Sequence, residues 1–122
     1  MTDMPACRKL IRQSVRIGGI KCYVDVGFYD EPGEQVGEIF LVVDKTGSET
    51  RWFYDEVARL ASKLIQHGCP LEEVMQGWLG IKTQVCGVVT GHPDIHFCTS
   101  VLDFIARMLL IEYCGRKDLK HG

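Results

Sequence analysis

A glycine pair between two runs of alternating side chains is the strongest constraint in this sequence. Ile11, Gln13, Val15 and Ile17 alternate with Leu10, Arg12, Ser14 and Arg16; after Gly18-Gly19, Ile20, Cys22, Val24, Val26 and Phe28 alternate with Lys21, Tyr23 and Asp25. Period two sends successive side chains to opposite faces of a strand, and Gly-Gly accepts the positive φ angles of a tight reversal. The stretch predicts a β-hairpin with one apolar face and one wet, charged face.

The rest of the chain is organised around that hairpin. Residues 1–14 comprise a flexible arm, ending in Arg8 and Lys9, and the start of the first strand. Asp30 to Gly33 is a turn-rich loop, Glu38 to Val43 a third strand, and Asp44 to Gly47 its end. Ser48 is placed to cap a helix in which Phe53, Val57, Leu60, Ala61 and Leu64 recur at helical spacing, stopped by Gly68. Pro70 opens a shorter helix carrying Leu71, Val74, Met75, Trp78 and Leu79, ended by Gly80. Ile81 to Thr90 returns to a β-rich pattern interrupted by Gly87. A last helix is expected from Asp94 or Ile95 to Tyr113, burying Cys98, Val101, Leu102, Ile105, Met108 and Leu109, with Arg107 and Glu112 near an edge.

Early strands and late helices predict an α+β domain over residues 15–115: a small antiparallel sheet of three to four strands, with two long helices and one short helix on one face, in the order βββααβα. Residues 116–122 form a polar tail. The 122 residues suit one domain, and 46% hydrophobic with 25% charged residues excludes general disorder. A formal net charge of −2 supplies no overall drive toward long nucleic acid. No apolar run is long enough to span a membrane and Met1 to Cys7 lacks the core of a signal peptide, so a cytoplasmic location is expected, with no membrane partner. The six cysteines contain no C-x-x-C pair and are expected to be reduced and mostly buried.

Three groups of residues offer chemistry, each beside a plainer reading. Lys45, Gly47 and Ser48 join a strand to a helix, where backbone N–H groups and a lysine suit a phosphate, or where simple capping suffices. The turn is no P-loop, because G-x-x-x-x-G-K-[ST] is absent. Gly91-His92-Pro93-Asp94 precedes the expected last helix, with His92 and Asp94 as ligand contacts or turn formers. Arg12, Arg16, Lys21 and Tyr23 lie on the wet face of the hairpin, where cations beside an aromatic ring hold a phosphate and stack a base, or merely meet solvent. Asp103 and Arg107, spaced i, i+4, form an exposed helix-face pair, or Arg107 is buried at a subunit contact. His92, His96 and Cys98 lack a matching second ligand pair, so no metal is assigned. Nor is any nucleophile motif or carboxylate dyad present: no catalytic residue and no cofactor is expected. Trp52 and Trp78 are expected in core or interface packing.

Several of these stretches occur together in a known order. Gly18-Gly19, Tyr23-Val24-Asp25-Val26-Gly27-Phe28-Tyr29-Asp30, Gly37-Glu38-Ile39-Phe40, Lys45 with Gly47-Ser48, Gly68-Cys69-Pro70-Leu71-Glu72-Glu73, and Gly91-His92-Pro93-Asp94-Ile95 with Ser100, Asp103 and Arg107 follow one another along residues 15–113. In this the chain resembles the TSCPD-type domain at the C-terminal end of adenosylcobalamin-dependent ribonucleotide reductases. It departs from that pattern in lacking a literal Thr-Ser-Cys-Pro-Asp run and a closely spaced C-terminal cysteine pair. The resemblance implies a nucleotide-related setting. A chain of this length has no room for the barrel that carries radical and cobalamin chemistry. The expectation is therefore a non-catalytic module, homo-oligomeric, binding a phosphate-containing small molecule or nucleotide, or serving a reductase subunit. The alternatives are a viral-type sponge for a cyclic nucleotide or an ADP-ribose-derived signal, and a protein-binding adaptor without a small ligand.

Overall fold

A computed structural model describes residues 3–121; Met1, Thr2 and Gly122 of the arm and tail lie outside the described residues. The chain runs β1 (Leu10–Ile17), β2 (Ile20–Phe28), β3 (Val36–Val43), α1 (Ser48–Gln66), α2 (Leu71–Gln76), β4 (Gly87–Thr90), β5 (Phe97–Cys98) and α3 (Val101–Tyr113), followed by a 3-10 turn at Lys117–Leu119. The fold is α+β. Its antiparallel sheet has the order β3-β2-β1-β4-β5.

The hairpin forms as its pattern dictates. Ile17 pairs with Ile20, and Gly18 and Gly19 take φ of 56° and 84° between them. Both central residues therefore sit in the left-handed region that favours glycine. Gly18 is doubly constrained, because a Cβ there would lie 2.3 Å from the backbone oxygen of Cys86.

The inner sheet face, carrying Val15, Ile17, Val24, Val26, Phe28 and Ile39, joins one core with Phe104, Ile105, Met108 and Leu109 of α3. Each large apolar side chain removed from water contributes roughly 1.5–3 kcal/mol. Helix α3 is buried almost all round, as a central helix must be, and Tyr113 meets the Phe28 ring edge-on at 5.6 Å.

Helix α1 stands along the outer edge of β3. Ser62 Oγ accepts from Ile39 N–H at 2.9 Å, and Gln66 Nε2 donates to Gly37 O at 3.0 Å. These bonds satisfy backbone groups of an edge strand that would otherwise be open to another chain.

Five expectations need correction. The sheet has five strands rather than three or four. The last helix begins at Val101, because Phe97–Cys98 pairs with Gly87 and Val88 as β5 instead of opening the helix. Gly47, and not Ser48, occupies the N-cap of α1. The apolar stripe of α1 divides instead of packing inward as one: Phe53, Leu60 and Leu64 are more than half exposed and Val57 is half-buried, while Ala61 is buried with Ala58 and Ser62. The arm is anchored over its described part, with Arg8 paired to Glu38 and Lys9 O accepting from Phe28 N–H at 3.2 Å.

The cysteines are all unpaired, and only Cys22 and Cys98 are buried, whereas Cys7 and Cys86 are exposed. Burial pushes the thiols of Cys22 and Cys98 up to about 11 and about 12 respectively.

Candidate functional site

Strand register sorts the outward side chains of the sheet into rows. Arg12, Asp25 and Phe40 form one row, Ser14, Tyr23 and Val42 the next, and Arg16, Lys21 and Thr90 the third. Val88 and Phe97 extend the same face across β4 and β5. This face carries no helix, and Phe40, Val88 and Phe97 stand about half exposed or more.

Charge is unevenly settled across the rows. Arg12 binds Asp25 through two bonds, Nε to Oδ1 at 2.7 Å and Nη2 to Oδ2 at 2.9 Å, and its guanidinium lies 3.8 Å from the centroid of the Tyr23 ring. The Asp25 hydrogen bond raises the affinity of Arg12 for its proton, so this cation is permanent and already neutralised. Arg16 and Lys21 stand directly opposite each other, and neither has an ion-pair partner among the described residues; Arg16 reaches only Gly19 O, at 3.3 Å. Like charges across an antiparallel pair repel. With Ser14, Val15, Thr90 and Gly91 they line a shallow hollow of about 390 Å³. The hollow thus offers two uncompensated cations and two hydroxyls beside an aromatic platform, the donor set that a phosphate group takes.

The loop from β3 to α1 flanks this corner. Asp44 N–H donates to Lys21 O at 2.9 Å, and Lys45 takes φ 60°, turning the chain toward Gly47 and Ser48. Lys45, Gly47 and Ser48 are exposed, and no side chain caps the start of α1. Its first N–H groups remain available to an anion or to water.

The remaining predicted residues are held elsewhere. The His92 side chain is 1% exposed: Nδ1 accepts from Asp94 N–H, Nε2 lies 3.1 Å from Glu112 Oε1, and the ring meets Phe104 edge-on. Asp94 lies 3.5 Å from Lys120 Nζ, tying the tail to the body. Gly91 to Asp94 therefore forms a turn in which only His92 is buried, and it does not open a helix, since α3 starts at Val101.

Asp103, expected on an exposed helix face, is fully buried. Its oxygens accept from Gly80 N–H (2.8 Å), Thr99 N–H (3.0 Å) and Arg107 Nε (3.3 Å). Ser100 Oγ accepts in turn from Asp103 N–H at 2.9 Å, capping α3. Arg107 also reaches Leu119 O at 3.4 Å, so Asp103 and Arg107 tie α3 to the turn after α2, the residue after β5 and the tail.

Sequence reasoning brought Arg12, Arg16, Lys21 and Tyr23 onto one face. It missed Thr90, Val88 and Phe97, whose place depends on the pairing of β4 with β1 and β5. Among the described residues no three His, Cys, Asp or Glu side chains converge as a metal site would require. Among the described residues no helix is long and apolar enough to cross a membrane.

Known proteins share this sequence over nearly its full length. The chain is 36% identical over 118 residues to a vitamin B12-dependent ribonucleotide reductase of Bradyrhizobium diazoefficiens, covering 97% of the chain but 9% of that protein. A vitamin B12-dependent ribonucleotide reductase of Agrobacterium fabrum is 34% identical over the same proportions, and one from Streptantibioticus cattleyicolor is 29% identical over 90% of the chain and 18% of its own length. The chain thus corresponds to a small part of these relatives. No solved structure matches it. The TSCPD domain model matches residues 4–113, a span that holds every strand and helix from β1 to α3, and the chain belongs to the TSCPD family.

Proposed function

We propose that this TSCPD chain is a non-catalytic binding module for a phosphate-bearing, nucleotide-type ligand held on the open face of its sheet. The observation that carries this reading is the opposition of Arg16 and Lys21 in the hollow beside Tyr23. Two like charges facing each other without a carboxylate raise the energy of the free protein, and an anion bridging them lowers it. The Arg12–Tyr23 stack supplies a flat neighbour for a base, and Lys45 with the start of α1 lies at the same corner for a second phosphate.

The relatives are named as vitamin B12-dependent ribonucleotide reductases, which supports a nucleotide-type ligand. Two roles use the same site: service to a separately encoded reductase, or sequestration of a cyclic nucleotide or ADP-ribose-derived signal. Both need binding without turnover.

Calorimetric titration with nucleoside di- and triphosphates, cyclic nucleotides and ADP-ribose tests the reading. Saturable binding to the wild-type chain, with the ligand recovered intact after heat release, supports it. Chemically altered ligand points to an enzyme, and a folded sample that binds no member of the panel refutes it.

A further inference from the structure

We infer that the outward stripe of α1 is a self-association surface on which a second copy of this chain docks with its α1 antiparallel. Phe53, Val57, Leu60, Leu64 and His67 follow one another at spacings of four, three, four and three, the a/d repeat of a helix–helix seam. In a lone chain this seam faces water: Phe53, Leu60 and Leu64 are 55%, 53% and 52% exposed, and Trp52 beside them is 59% exposed, stacked edge-on against Phe53 at 5.3 Å.

The size of the patch agrees with a dimer. These four side chains expose roughly 400 Å² of mainly apolar surface. That is about half of the roughly 800 Å² per partner of a standard interface, leaving the remainder to the polar residues that flank the stripe.

Charge decides both the occupant and its direction. Glu49 and Glu56 flank the N-terminal half of the seam, Glu56 also holding Arg59 of its own helix at 2.8 and 3.1 Å; Lys63 flanks the C-terminal half, which His67 ends. A two-fold axis that sets Phe53 against the partner's Leu64, and Val57 against the partner's Leu60, brings Glu56 alongside the partner's Lys63 and Glu49 alongside the partner's His67. Each pair occurs twice. A parallel arrangement instead sets Glu56 on Glu56 and Lys63 on Lys63. The antiparallel orientation thus sets these opposite charges together where the parallel one sets like charges together, and a copy of this chain matches the stripe.

The surface lies on α1 and is separate from the sheet-face hollow, so its test needs no ligand. Sedimentation equilibrium of the intact chain at 1–200 µM, on the order of the dissociation constants expected of so small an interface, reads the association. The expected mass is twice 13.8 kDa at the upper end of the range. Leu60→Glu abolishes the dimer over that range while circular dichroism stays native, since the side chain is exposed. Lys63→Glu and Glu56→Lys each weaken association about tenfold, by turning two attractions into repulsions, and the double exchange E56K/K63E restores it to within about threefold. A wild-type chain that remains monomeric at the highest concentration overturns the inference. So does a dimer indifferent to Leu60→Glu, or a double exchange no better than the single variants, the last because it denies the antiparallel register.

Discussion

Replacing Asp103 with asparagine changes one atom and tests the buried junction of the fold. The carboxylate accepts from Gly80 N–H, Thr99 N–H and Arg107 Nε, with no exposure to solvent. An amide has one acceptor oxygen, and its NH₂ must face at least one of these donors. The least costly rotamer keeps the oxygen toward Thr99 and Arg107 and leaves the Gly80 N–H against another donor. One unsatisfied backbone donor costs about 1–3 kcal/mol. Arg107 is 23% exposed, so its weakened pair adds at most about 1 kcal/mol after solvent screening. The expected loss is about 1–4 kcal/mol, a fall in Tm on the order of 10 °C for a domain of this size. Urea unfolding followed by tryptophan fluorescence reads it, with Ser100→Ala, which removes only the cap, expected to cost about 1 kcal/mol. An Asp103→Asn variant within about 0.5 kcal/mol of wild type refutes the assignment of Asp103 as the shared acceptor of these elements.

Other outcomes follow from the same geometry. His92→Ala lowers stability by about 2–3 kcal/mol in chemical unfolding, because it empties a buried site and frees Asp94 N–H; an unchanged midpoint contradicts that role. Gly18→Ala costs more than about 1 kcal/mol, through both its φ of 56° and the contact with Cys86 O, whereas a neutral effect shows the turn to be otherwise built. In native protein at pH 8 a thiol reagent modifies Cys7 and Cys86 while Cys22 and Cys98, held protonated by burial, react only on unfolding; rapid labelling of all six contradicts this. The same two thiols set the sign of an alkaline effect. Their folded pKa values lie above the ordinary 9.0, so the unfolded chain releases protons first and stability falls as pH rises from about 9 toward 11 and 12, measurable as a declining urea midpoint.

The hairpin and its two faces were legible because strand period and turn chemistry are local. So was the polar sheet face, since alternation alone puts Arg12, Arg16, Lys21 and Tyr23 on one side. What sequence could not supply was burial set by distant partners. The run from Ile95 to Tyr113 has helical spacing throughout, but Phe97 and Cys98 find β4, so the helix waits for Ser100. That later start moves His92 and Asp94 from a helix entrance into a turn that buries His92 and leaves Asp94 half-buried. Asp103 looked exposed beside Arg107 on a helix wheel; apolar residues on nearly every side of it were the available sign that α3 runs through the core. For α1 the periodicity was correctly seen and its direction was not, because covering the edge of β3 needs small residues such as Ala58, Ala61 and Ser62. The large residues were left for another surface.

Whether the open sheet face holds a phosphate-bearing ligand is read most directly by amide chemical-shift mapping during titration with ADP-ribose and a nucleoside triphosphate. Shifts centred on Ser14, Arg16, Lys21, Tyr23 and Thr90, extending to Lys45, are expected, together with their disappearance in Arg16→Glu/Lys21→Glu at unchanged fold. Shifts confined to other surfaces, or shifts that survive the double charge reversal, would contradict it.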